Sequence, residues 1–314
     1  VLLVACIGVA GICLIGCSTL TDYGIRQIIR RGWRLSLPDF SAFSRWFQAL
    51  RIFCISVIIL PLIFCFLGLI SSIIWAFAEV WRFPAALPQI WGMRGWAVNA
   101  DLFMQAGWNS LILGFSASFF SLVLAIIWLE TQQHRTGQLT AGTTRAEKLV
   151  YLPLIVPQTA FLFGLQLLLI TLNLDGQFIA ILWAHCLFVF PYIMLSLSAQ
   201  WRRFDSRYTD SAAVLGMGRA GQLIRVKIPM LGIPIGISFA IGFAVSAALY
   251  LPTVFAGHGR FITLTTEAVV LASGAGRQAL GAATVMQMIL PLIIFIAVEQ
   301  LLRLRYRRFS AFRF

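Results

Sequence analysis

Apolar residues fall along this chain in blocks long enough to cross a bilayer, separated by shorter polar connections. After an opening run at 1–17, the blocks lie at approximately 52–80, 108–129, 149–172, 178–200, 231–255 and 283–302. Each is close to the roughly 20 residues that span the hydrocarbon core as a helix. Pro61, Pro153, Pro157, Pro191, Pro234 and Pro291 interrupt these blocks. A proline in a lipid-embedded helix is tolerated where neighbouring helices re-satisfy the freed carbonyl, so the pattern predicts helices packed on one another. The fold class read from the pattern is an all-α polytopic membrane protein.

Composition agrees with that reading. Hydrophobic residues make up 60% of 314 and charged residues 11%, where a soluble domain carries about 25% charged. A net charge of +13 would point to nucleic acid in a soluble protein, but here the placement of charge matters more than its sum. Segments 18–51, 130–148, 201–230 and 303–314 hold all of the 24 Lys and Arg residues except Arg82, Arg94, Arg260 and Arg277. Basic connections stay in the cytoplasm. The loop at 201–230 and the C-terminus are therefore predicted to be cytoplasmic, with Val1 on the outer side and no nucleic-acid partner. Cys6, Cys13, Cys17, Cys54, Cys65 and Cys186 all lie inside apolar runs without metal spacing and read as small packing residues.

The opening run carries Leu14-Ile15-Gly16-Cys17, which looks like a lipoprotein cleavage box, but no basic n-region precedes it. It is expected to be the end of a transmembrane helix from a longer protein. Residues 1–34 and 283–314 also share one layout, a span followed by an Arg-rich tail. Residues 1–48 are thus expected to close one unit, and 49–314 to form a six-span domain.

The longest stretch of the second half that cannot sit in lipid is 204–229, FDSRYTDSAAVLGMGRAGQLIRVKIP. Asp205 or Ser206 can cap a short helix by accepting its orphan amide protons, and Asp210 suits the positive end of the helix dipole. Ala213, Val214 and Met217 fall at helical spacing on one apolar face that Ala212 and Gly216 leave shallow. Glycines at 216, 218 and 221 allow a reversal of the chain. A second short helix is predicted over 222–228, with Pro229 in the first turn of the next span. A shallow helix on such a loop is a grip for a second protein; a basic loop binding lipid headgroups is the plainer alternative.

Asp210-Ser211-Ala212, three residues, Gly216, nine residues, then Val226-Lys227-Ile228-Pro229 resembles the EAA loop of permease subunits in binding-protein-dependent ABC importers of type I. Asp stands for the usual Glu, Ser for the first Ala, and Val and Ile for Ile and Leu before the proline. Residues 106–111 (AGWNSL) and 152–157 (LPLIVP) are similar to the same permeases. Residues 251–257 (LPTVFAG) and 263–268 (TLTTEA) resemble fused double permeases that include thiamine and iron(III) importers. The resemblance covers roughly residues 50–314. It implies a six-helix permease core plus one preceding transmembrane helix left from another permease half. It implies that Asp210, Ser211, Ala212, Ala213, Leu215, Gly216, Met217 and Pro229 couple the chain to ATP-binding cassette ATPase subunits. A second permease half, fused or separate, and a periplasmic solute-binding protein are the other partners it implies, in the bacterial inner membrane. Any cofactor chemistry, the ATP itself, then resides in the partner.

The run Gly216-Met217-Gly218-Arg219-Ala220-Gly221 also matches GxGxxG, but a dinucleotide site needs a strand before it and a βαβ unit around it. No Walker motif occurs. Among polar residues inside the spans, Gln158, Thr159, His185, Tyr192 and Ser246 are candidates for a solute pathway, because polar groups at membrane depth face the bundle interior. The structural alternative is that hydroxyls bond a carbonyl one turn back. Glu299 is expected to pair with Arg303 at i+4. No acid pair, Ser-His-Asp set or metal cluster suggests catalysis. The importer reading competes with a secondary transporter or channel, which needs coupling carboxylates at mid-span, and with a membrane scaffold.

Overall fold

The computed structural model describes residues 41–82, 84–136, 149–274 and 276–307. The opening run and its basic tail as far as residue 40 lie outside them. The chain divides into two units, Val1–Ser72 and Ile73–Phe314. The described part of the first belongs to helix α1, Ser41–Phe77, with Pro61 inside it. Phe53, Leu60, Phe64 and Phe66 on this helix are all exposed apolar side chains.

In the second unit, strands β1 (Ala78–Val80) and β2 (Ile90–Trp91) pair antiparallel. Helix α2 (Arg94–Val98) leads into α3, Ala100–Thr136, which is 37 residues long. Then come α4 (Leu152–Ile155), α5 (Gln158–Thr171) and α6 (Phe178–Arg202). Helix α7 (Arg207–Val214) is followed by α8 (Arg219–Met230), whose middle, Gln222–Lys227, is π-helical. The chain ends through α9 (Gly232–Ala248), α10 (Leu251–Gly257), α11 (Leu264–Ala272) and α12 (Arg277–Arg307).

Among the described residues four helices are long and apolar enough to cross a membrane: Ile55–Phe77, Ala100–Gln133, Phe178–Arg202 and Arg277–Leu304. A fifth arises if α8 and α9, bent by 79° at their junction, count as one broken span. The chain is an all-α polytopic membrane protein, but two predicted spans are not continuous helices. The block at 149–172 breaks at Val156-Pro157. A residue before proline is driven out of the helical region, and Val156 sits at φ −73, ψ 138. That leaves α5 with 14 residues, about 21 Å at 1.5 Å per residue, short of the roughly 30 Å core. The block at 231–255 breaks at Leu249, which is extended, and resumes with Pro252 in the first turn of α10.

The core is a packed trio of α3, α6 and α9. Leu122, Ala125 and Leu129 of α3 meet Val189, Ile193, Met194, Leu197 and Trp201 of α6, all buried. Close approach of α9 to α6 depends on Gly242, where a Cβ would stand 2.7 Å from Ile193 Cδ1. A second cluster joins Leu162, Leu165 and Leu169 of α5 to Ile181 and Phe188 of α6. Helix α12 packs on α9 and α11.

The segment before α3 is pinned to the fold. Gln278 donates from Nε2 to Gly92 O (2.8 Å) and accepts from Gly95 N (2.9 Å). Trp91 is exposed, whereas Trp96 turns inward, stacks with Phe77 and donates to Ala76 O at 2.8 Å.

Candidate functional site

The loop between α6 and α9 builds a compact element on the side where α3, α6 and α12 end. Helix α7 starts after Asp205, whose Oδ1 accepts from Arg207 N at 3.0 Å. Ser206 occupies the N-cap position without a side-chain bond. Of the two capping candidates, the aspartate supplies the oxygen. Asp210 lies in the first turn, as the dipole favours.

The helix stops at Gly216. Met217 N donates to Ala212 O (3.0 Å) and Gly216 N to Ala213 O (2.9 Å), the pair of bonds of a Schellman motif, with Gly216 at φ +81. Gly218 and Gly221 have ordinary negative φ, so only Gly216 uses the left-handed freedom expected of all three. Gln222 Nε2 then caps the stop by donating to Met217 O at 2.7 Å.

Of the predicted coupling residues, Ala212 alone is buried, while Asp210, Ser211, Ala213, Leu215 and Gly216 are exposed and Met217 is half-buried. Beside them Val214 is 88% and Leu215 86% exposed. Two branched apolar side chains thus stand at the tip of a polar loop, held there by a glycine-terminated helix. Ala212 turns inward and Val214 outward, so the apolar residues divide between packing and display. Pro229 lies in the last turn of α8.

Helix α7 packs against the π-helical stretch of α8, and that stretch carries a residue the sequence reading passed over. Lys227 is 2% exposed. Its Nζ lies 2.6 Å from Glu130 Oε2 and also donates to Gln133 Oε1, both on α3. It sits 4.6 Å from the Trp201 ring centroid and 5.6 Å from that of Phe204. A buried ammonium persists only when paired and hydrogen-bonded, and aromatic faces add attraction. In sequence, Lys227 is one more cation in a basic loop; its partner is 97 residues away.

Of the pathway candidates, the fold brings His185 and Ser246 together. His185 Nδ1 is 2.8 Å from Ser246 Oγ on α9, and Nε2 is 2.9 Å from Thr253 Oγ1 on α10. Thr253 Oγ1 also donates to Leu249 O at 2.8 Å. Its oxygen therefore accepts from the ring, which assigns the proton to Nε2 and leaves Nδ1 to accept from Ser246. All three side chains are buried, and the tie spans the α9–α10 break. Gln158 and Thr159 lie apart from this tie in sequence, opening α5 at the proline break, half-buried and exposed respectively. Tyr192 is exposed on α6. Elsewhere hydroxyls bond back along their own helices, as Ser118 does to Gly114 O at 2.7 Å.

No family model matches the chain. It is 41% identical over 187 residues to the inner membrane ABC transporter permease protein YnjC of Escherichia coli (strain K12), covering 60% of this chain and 35% of that protein. It is 21% identical over 150 residues to the spermidine/putrescine transport system permease protein PotC of the same strain, covering 48% and 55%. To PotC of Haemophilus influenzae it is 24% identical over 135 residues, covering 42% and 50%. The chain thus spans between about a third and about half the length of the curated relatives it matches. The family resemblance first carried by the loop motif is therefore carried by whole stretches of sequence as well, and the chain resembles ABC transporter permease proteins of the bacterial inner membrane.

Proposed function

We propose that this chain is the transmembrane permease part of an ATP-driven, binding-protein-dependent importer. It moves a small polar or charged solute across the bacterial inner membrane by alternating access. Residues 49–314 form one permease half, residues 1–48 end a preceding one, and a second half completes the pathway. ATP is bound and hydrolysed by partner ATPase subunits, and this chain binds no cofactor of its own. A periplasmic binding protein delivers the solute. Loop 201–230 and the C-terminus face the cytoplasm, in line with the Lys and Arg distribution.

The observation that carries the reading is the α7 tip. Exposed Val214 and Leu215 beside a Schellman-terminated turn make a short apolar knob, and an isolated knob of this kind on a basic loop suits insertion into a groove of another protein. Asp210 and Gly216 hold the positions of the motif around it.

The test is copurification in mild detergent with Leu215→Glu beside the unmodified protein. Leu215 is so exposed that the change leaves packing alone while putting a charge on the knob. An ATP-binding subunit is expected to copurify with the unmodified chain and to be lost from the variant. Absence of any ATPase from the unmodified chain would turn the reading to a secondary transporter or channel.

A further inference from the structure

We propose that Lys227 is a transmission residue: its buried bond to Glu130 passes displacement of the α7 knob to α3, a helix to which the loop is not directly joined. The proposal rests on the importer reading above and adds the route by which the knob reaches the transmembrane core.

The chain itself connects α7 only to α6 on one side and, through α8, to α9 on the other. A push on the knob reaches α9 along the backbone, but across the 79° bend at its junction with α8. Helix α3 packs against both α6 and α9, yet among the described residues no backbone hydrogen bond ties its C-terminal end to the loop.

Lys227 makes that tie. Helix α7 rests on the π-helical stretch Gln222–Lys227, and Lys227 ends that stretch. Its ammonium meets Glu130 and Gln133 on the last turns of α3 while lying against Trp201, a fully buried residue at the end of α6. One side chain thus joins the seat of α7 to the ends of α3 and α6. The wide turn of a π-helix marks functional sites more often than random stretches. Lys227, at the end of this one, is buried although Ile224 and Arg225 in the same stretch are exposed.

A charge pair is suited to this task in a way that apolar contact is not. Apolar contact carries no directional bond, whereas separating the Lys227 ammonium from its carboxylate strands a buried charge away from water. The pair therefore resists relative movement of α8 and α3 and makes them move together.

The experiment is hydrogen exchange of the purified complex, with its ATPase, with and without trapping by ATP and vanadate. In the unmodified complex the trap is expected to change exchange both in α7 and in residues 128–133 of α3. In Lys227→Met the α7 change should persist while the change at 128–133 is lost. A response at 128–133 in the variant equal to that of the unmodified complex overturns the proposal, as does a trap that alters α7 but never α3. Should Lys227→Met fail to assemble, the double variant Lys227→Met/Glu130→Leu removes both charges of the pair and is read by the same criterion. If no ATPase copurifies with the unmodified chain, the importer reading fails before any variant is made, and the transmission route falls with it.

Discussion

At Gly216 a single residue sets what its surroundings can do. Gly216 ends α7 in a backbone conformation that a Cβ resists, and a Cβ there would meet nothing within 4 Å; the requirement is conformational and not one of space. His185 is the reverse case, a side chain defined wholly by its neighbours. Its two ring nitrogens are taken by hydroxyls from α9 and α10, and the ring holds the Leu249 break in place. Replacing Thr253 by Val keeps the shape but leaves the Nε2 proton buried without an acceptor, at a cost of about 1–3 kcal/mol. Thermal unfolding in detergent should show a clearly lower midpoint for Thr253→Val. An unchanged midpoint would mean that the tie does not hold the break.

At the scale of elements, the interlocking of α3, α6 and α9 depends on small residues at crossing points. A Cβ at Gly242 would crowd Ile193 Cδ1 at 2.7 Å and Val189 Cγ1 at 3.2 Å, both on α6. Gly242→Val should therefore lose about 1–3 kcal/mol through overpacking, read as a lower melting temperature and reduced yield of folded protein in the membrane. The Glu299–Arg303 pair on α12, with N···O at 2.5 Å, forms as the i, i+4 spacing expects. Both side chains are more than half exposed, so the pair contributes little. Lys227 and Glu130 present the opposite balance, since both ends of that pair are largely withdrawn from water.

For the whole molecule, the proposed orientation makes a direct prediction. With the native cysteines replaced, Leu87→Cys, in the segment between β1 and β2, should react with a membrane-impermeant maleimide on intact cells. Val214→Cys at the knob should react only after the membrane is opened. Both residues are highly exposed in this chain, so in cells lacking the ATPase that would cover the knob, a failure to label reports sidedness and not burial. The reverse pattern would place the knob outside and exclude a cytoplasmic ATPase as its partner.

The class of protein and the position of the loop were legible in the order of residues, because both rest on local properties. Hydrophobic run length decides what enters lipid, the Lys and Arg bias predicts sidedness, and a glycine at a fixed distance from Asp210 ends a short helix by backbone chemistry alone. Two predicted spans were misjudged as continuous because run length does not register a break: Val156-Pro157 and Leu249 stay apolar while leaving the helical region. The pairing of Lys227 with Glu130 and of His185 with Ser246 and Thr253 could not be read from the chain. These contacts join residues 61 to 97 positions apart, and nothing local distinguishes a lysine that will turn inward from the cations around it. Tertiary packing decides that, by removing water from one ammonium and offering it a carboxylate, an amide oxygen and an aromatic face in exchange.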